Sequence, residues 1–231
     1  MNEDKLIVAL DVPDIEKARA LTTQLQDTVN FYKIGYQLAP IGGFDLAGEL
    51  IAAGKKVFLD LKYHDIGATV ERGVVSVRKA GADFLTVHAE PDVLAGAVEG
   101  RGDDPSLKIL AVTVLTSLDQ AALARAGINT PIPELVLQRA EFAAKAGADG
   151  VIASAQEAPA IKSRFGRDLL IVTPGIRPAG GAENDQKRVV TPAKAVNNGA
   201  DYLVVGRPII GADDPVDAAR SILRDIAAAA P

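Results

Sequence analysis

Eight times along the chain a short apolar run rich in β-branched residues is followed by a longer stretch of mixed polarity. The runs fall at residues 5–11, 30–35, 56–62, 83–88, 107–114, 149–153, 168–173 and 201–205. Between them, residues 14–27, 67–80, 133–146, 191–198 and 214–229 carry apolar side chains at three- and four-residue spacing, which predicts helices. Eight runs in 231 residues give about 29 residues per repeat, the length of a strand, a right-handed crossover and its helix. Most runs are apolar on both faces, as strands of a parallel sheet covered by helices must be. Ala80-Gly81-Ala82-Asp83, Ala146-Gly147-Ala148-Asp149 and Asn198-Gly199-Ala200-Asp201 each stand just before a strand. Glycine there can take the left-handed conformation that closes a helix. One device used repeatedly predicts one repeated architecture: a single-domain (β/α)8 TIM barrel over residues 1–231. An open doubly wound sheet is the alternative, weakened because no GxGxxG follows the first strand.

Composition narrows the chemistry. The chain has no Cys, so a disulfide scaffold, thiolate metal ligation and a cysteine nucleophile are excluded. With 30 Asp+Glu against 25 Lys+Arg the net charge is −5, which argues against a broad nucleic-acid or membrane-surface role. The apolar run Leu6 to Leu10 follows Glu3 and Asp4 and is too short for a signal core or a membrane span, so a cytoplasmic location is expected.

In a barrel of this kind the active site lies at the C-terminal ends of the strands, and alternation along each strand selects the inward side chains. Ala9 and Asp11 share a face, as do Phe31 and Lys33, then Phe58, Asp60 and Lys62, then Thr86 and His88. The inward set turns polar only at its C-terminal end, gathering Asp11, Lys33, Asp60, Lys62 and His88. Buried charges must be paired, so two Asp and two Lys at one mouth predict an alternating network. The Gly/Pro-rich segment 174–181, after the seventh strand, reads as an active-site loop.

Asp60-Leu61-Lys62-Tyr63-His64-Asp65 forms a D-x-K-x-x-D on the third strand. With it come Phe31-Tyr32-Lys33-Ile34-Gly35, Val112-Thr113-Val114-Leu115-Thr116-Ser117, Thr173-Pro174-Gly175-Ile176-Arg177-Pro178 with Asp185-Gln186-Lys187-Arg188, and Val205-Gly206-Arg207-Pro208-Ile209. These segments, in this order over essentially the whole chain, resemble orotidine 5′-phosphate decarboxylase of the bacterial type.

The resemblance implies decarboxylation of orotidine 5′-monophosphate to UMP in pyrimidine biosynthesis, with neither cofactor nor metal. It implies Lys62 as the cation and proton donor at C6, Asp60 beside the departing carboxylate, and Lys33 holding Asp60 and the ribose in register. Asp65 would reach the active site of the neighbouring subunit of a homodimer. Asp11 and Thr69 would contact ribose hydroxyls and Thr116 the pyrimidine. Gly206 and Arg207 would grip the phosphate where barrels commonly hold one, after the last strands, with Arg177 and Gln186 closing over it. Relatives with glutamine within this loop differ from the present chain, which has Ala179. His64 is read as a packed side chain and His88 as a support of the charge network. Same-barrel relatives that hold Mg2+ through an acidic residue of the second strand are a less fitting resemblance, because Lys33 would oppose a metal there.

Overall fold

The computed structural model describes residues 5–178 and 189–229. Eight strands close into one barrel in sequence order, β1-β2-β3-β4-β5-β6-β7-β8, and every pairing is parallel. The strands are β1 (Leu6–Ala9), β2 (Phe31–Gly35), β3 (Lys56–Tyr63), β4 (Phe84–His88), β5 (Lys108–Val112), β6 (Gly150–Ile152), β7 (Leu170–Thr173) and β8 (Tyr202–Val205). Each lies within the run expected for it or within a residue of it. Closure through the β1–β8 pairing, with Leu6 opposite Leu203, excludes the open sheet.

The helices are α1 (Ile15–Gln24), α2 (Gly43–Ala52), α3 (Gly67–Ala80), α4 (Pro91–Arg101), α5 (Gln120–Arg125), α6 (Ile132–Ala146), α7 (Ala158–Phe165), α8 (Pro192–Asn197), α9 (Arg207–Ile210) and α10 (Pro215–Ala229). Their starts are chemically marked. Asp14 accepts from the Lys17 amide at 2.7 Å, and Asp119 accepts from the Ala122 amide at 2.8 Å, each satisfying an otherwise orphaned first-turn N–H. Gly81 and Gly147 end α3 and α6 at φ 82° and 80°, as the repeated signature predicts.

The aspartate of that signature does a second job. Asp83 accepts from the Val57 amide at 2.8 Å, Asp149 from Ile109 at 2.9 Å and Asp201 from Ile171 at 2.7 Å. Each therefore ties the start of one strand (β3, β5, β7) to the residue entering the next. Arg101 and Lys108 pair with Asp149, and Lys162 with Asp201, which neutralises these carboxylates. All of this lies at the N-terminal face, where a barrel keeps stabilising rather than chemical residues.

Alternation along the strands sorts the apolar residues into two layers. Leu6, Val8, Tyr32, Ile34, Val57 and Leu59 face the helices within one large buried cluster. Ile7, Ala9, Phe31, Phe58, Phe84, Leu110, Val172 and Val204 fill the barrel itself. Phe84 meets Phe31 edge-on at 4.9 Å and Tyr202 at 5.1 Å. This aromatic plug fills the lower barrel, so a ligand can enter only above it, at the C-terminal ends of the strands.

α3 and α4 pack with their backbones in close approach. A Cβ on Gly96 would run into the Gly67 carbonyl, and one on Gly100 into that of Glu71. This contact fixes the start of α3, immediately after the D-x-K-x-x-D motif. No described helix is long and apolar enough to cross a membrane.

Candidate active site

Four charged side chains meet above the plug in an alternating line. Lys33 Nζ lies 3.2 Å from Asp11 Oδ1 and 3.3 Å from Asp60 Oδ2, and Lys62 Nζ lies 2.7 Å from Asp60 Oδ1. Asp60 is thus bracketed by two ammonium groups. Lys33 is buried, while Asp11 is half exposed at the outer end of the line. Gly35 permits the arrangement: a Cβ there would stand 3.2 Å from Lys33 Nζ and crowd it.

The electrostatics follow from this geometry. Burial alone would push the Asp60 carboxyl up, but the charges of Lys33 and Lys62, with hydrogen bonds from Lys62 and Thr86, outweigh burial and hold it below the ordinary carboxylate range. Burial alone would pull the Lys33 ammonium down, and the charges of Asp60 and Asp11 more than offset that. Both residues are held in their charged forms, each by the other.

Lys62 is the one described non-glycine residue with a positive φ, 44°. A lysine in that region is strained by about 1–3 kcal/mol and persists only where its surroundings hold it. The β3–β4 register also jumps here: Leu59 pairs with Leu85, but Tyr63 pairs with Val87. Two extra residues on β3 form a bulge, a device that re-aims side chains beside active sites.

The charged line forms one wall of a cavity of about 380 Å3. Asp11, Lys33, Asp60, Lys62, Thr116, Arg177, Gly206 and Arg207 all line it, so eight expected site residues converge. Val114, Leu115, Ile152 and Pro174 add apolar surface and Ser117 a hydroxyl, so the lining mixes apolar and polar surface. Arg207, also in the lining, opens α9 directly after β8 and Gly206. Arg177 is buried, and its Nη1 donates to the Ile176 carbonyl at 2.8 Å. Hydrogen bonds from the Arg177 amide to the Val190 carbonyl (3.0 Å) and from the Val190 amide to the Gly175 carbonyl (3.3 Å) tie together the two ends of this loop. Gln186 and Ala179 lie outside the described residues.

Three expected residues do not line this cavity. Thr69 does not line the cavity of its own chain. It is exposed on the first turn of α3, with Arg72 Nη2 3.5 Å from its hydroxyl, because the chain turns away from the barrel axis after Tyr63. Asp65 is exposed on the same side and accepts from the Ile66 amide at 2.7 Å. His88 supports a different group from the one expected. Its ring stacks on His64 at 4.5 Å, and both rings stand 3.8–3.9 Å from Glu90 Oε2. Burial, with the nearby charges of Arg139 and Lys62, holds the His88 imidazole below its ordinary value against the pull of Glu90.

Sequence reasoning also missed two side chains that act on Lys62. Thr86 Oγ1 stands 2.9 Å from both the Lys62 amide and Asp60 Oδ1. The Tyr36 hydroxyl donates to the Leu61 carbonyl at 2.9 Å, and its ring lies 5.5 Å from Lys62 Nζ. The signal available for Thr86 was its inward parity on β4; Tyr36 follows Gly35 with no periodic signal.

A closed (β/α)8 barrel with a charged line and two arginines in one cavity at the C-terminal ends of its strands defines a barrel enzyme for a small anionic substrate. The chain belongs to the orotidine 5′-phosphate decarboxylase / HUMPS family, whose pattern it matches over residues 4–222. Among curated relatives, the orotidine 5′-phosphate decarboxylase of Afipia carboxidovorans is 58% identical over 227 residues, covering 98% of this chain and 96% of that one. The enzyme of the same name from Methylorubrum extorquens is 57% identical over 223 residues, covering 96% and 95%. Among solved structures, the crystal structure of orotidine 5′-phosphate decarboxylase from Lactobacillus acidophilus superimposes with a TM-score of 0.85 at 37% identity, covering 96% of this chain and 99% of that one.

Proposed function

We propose that this chain is a carboxy-lyase that converts orotidine 5′-monophosphate to UMP in pyrimidine biosynthesis, using its own side chains alone. The observation that carries the reading is that the Asp11–Lys33–Asp60–Lys62 line shares one cavity with Arg177 and Arg207. Such a cavity suits a substrate that carries both a phosphate and a carboxylate.

In the proposed reaction the C6–carboxylate bond breaks, CO2 departs, and the electron pair stays on C6. The Lys62 ammonium, held beside that carbon by Asp60, stabilises the growing negative charge and then transfers a proton from Nζ to C6. Solvent returns the proton to Lys62. Asp60 stays ionised throughout and keeps the ammonium aimed, while Lys33 neutralises the other carboxylate oxygen. A fixed ammonium at Lys33, within 3.3 Å of both carboxylates, fills the place a divalent cation would need, which favours this reading over a Mg2+-dependent reaction on the same barrel.

Asp11 is suited to ribose hydroxyls and Thr116 to the pyrimidine edge. Gly206, Arg207 and Arg177, with Gln186, are assigned to the phosphate, whose remote binding energy orients the ring. The proposal extends to a homodimer in which Asp65 enters the neighbouring site. Thr69 shares its exposed turn and would cross with it, and the exposed apolar side chains Tyr36, Ile66 and Leu115 near the mouth fit a covered surface.

The test is incubation of the protein with orotidine 5′-monophosphate, with and without EDTA, following loss of orotate absorbance. Turnover to UMP that is insensitive to EDTA is expected; no turnover, or turnover abolished by EDTA, would contradict the reading.

A further inference from the structure

Two side chains that carry no charge hydrogen-bond to the backbone where Lys62 takes its positive φ of 44°. The peptide bond between Leu61 and Lys62 is gripped at both of its polar atoms. Its carbonyl, on Leu61, accepts from the Tyr36 hydroxyl at 2.9 Å, and its N–H, on Lys62, donates to Thr86 Oγ1 at 2.9 Å. The grip sits where the β3–β4 register jumps, so side chains supply the restraint that a regular ladder gives elsewhere.

Thr86 does more than accept. An amide N–H can only donate, so the Thr86 oxygen is the acceptor there and its single proton is free for another partner. The atom within reach is Asp60 Oδ1, at 2.9 Å, the oxygen that also receives Lys62 Nζ at 2.7 Å. One buried hydroxyl therefore bonds both the backbone of the cation and the carboxylate that aims it, accepting from the first and donating to the second. Thr86 is fully buried and presents this hydroxyl into the barrel.

We propose that Thr86 and Tyr36 are positioning residues: they clamp the Leu61–Lys62 peptide in its strained conformation so that the Lys62 ammonium is set on Asp60 and towards the reacting carbon. This rests on the decarboxylase reading given above. Neither residue is assigned a contact with substrate. Their loss affects the chemical step, because displacement of a catalytic group by a fraction of an ångström weakens the transition state far more than the bound ground state.

The test compares the wild type with Thr86→Val, Thr86→Ser and Tyr36→Phe. Thr86→Val keeps the β-branched shape and removes the hydroxyl; kcat should fall roughly 10- to 100-fold while KM stays within about threefold. Thr86→Ser restores the hydroxyl and should recover kcat to within about fivefold of the wild type. Tyr36→Phe removes the other grip and should lower kcat by roughly three- to tenfold. The Lys62 amide proton, followed by hydrogen exchange, should exchange at least about tenfold faster in Thr86→Val, a readout independent of turnover. An active wild type with unchanged kcat in Thr86→Val overturns the clamp and leaves the decarboxylase reading standing. An inert wild type overturns the decarboxylase reading, and the exchange rate then decides whether the clamp exists. Should Thr86→Val fail to fold, Tyr36→Phe decides: undiminished kcat overturns the proposal. Equal losses in kcat and affinity that Thr86→Ser does not rescue also overturn it.

Discussion

Lys62 and Asp60 stand two residues apart on one strand, yet their side chains meet at 2.7 Å because the strand bulges and Lys62 adopts φ 44°. On a regular strand the two would project in parallel from the same face. The bulge turns a shared face into a contact, and Lys33 completes the charge balance from the neighbouring strand.

That balance predicts a particular pH dependence of stability. Asp60 has its ionisation favoured in the folded state, so its contribution is present above the ordinary carboxylate range and lost as pH falls through the lowered folded value. Lys33 has a raised folded value, so its contribution is complete below the ordinary lysine value and lost only as pH rises through the raised one. The pair is therefore fully effective across neutral pH. Urea titrations should show Asp60→Asn less stable than the wild type by a constant margin from about pH 6 to pH 9, shrinking below about pH 4. A margin that grows on acidification would contradict the pairing.

Arg207 opens the helix after β8 and lines the same cavity as Lys62. Arg207→Ala removes a charged donor to the phosphate, with a loss of about 1.5–3 kcal/mol, or roughly 10- to 100-fold in kcat/KM. The same substitution should leave activity on the unphosphorylated nucleoside nearly unchanged. Steady-state kinetics on both substrates checks this; equal losses on both would place Arg207 outside a phosphate site.

Asp65 stands outside its own cavity, on the exposed turn before α3. If it serves a neighbouring copy, inactive Lys62→Ala and Asp65→Ala homodimers should regain activity on subunit exchange. Random exchange in a two-fold dimer gives about one native site per four subunits, hence roughly a quarter of wild-type activity. Absence of recovery despite exchange shown by mass spectrometry would contradict the shared site.

The strands were legible because parallel strands buried on both faces read as continuous apolar runs, and each run became a strand. Helices α2, α4, α5, α7 and the short α9 were not picked out. α4 packs against α3 through Gly96 and Gly100, so its contact face carries glycine in place of the large apolar residues that mark a helical stripe. The charged line was readable from parity alone, since Asp11, Lys33 and Asp60 follow the alternation. Thr69 and Asp65 lie beyond the end of β3, where strand parity says nothing, and only the resemblance singled them out. His88 ends β4, where parity cannot foresee its neighbours Glu90 and His64. No residue type announces a left-handed lysine, so the clamp of Thr86 and Tyr36 depended on a cross-strand relationship that spacing cannot express. The repeated Ala-Gly-Ala-Asp was visible as a helix stop, whereas its aspartate's partner lies on the preceding strand, about 26 to 40 residues back.

The central claim is that the Lys62 ammonium carries the chemistry while the rest of the cavity carries binding. The most direct measurement is single-turnover decarboxylation of orotidine 5′-monophosphate by Lys62→Ala, with UMP affinity measured on the same protein by calorimetry. The account predicts a fall in rate of at least about 10³-fold, the loss of a preorganised charge and a proton donor together, with UMP affinity within about tenfold of the wild type. A variant that keeps a rate within tenfold of the wild type while binding UMP normally would contradict it.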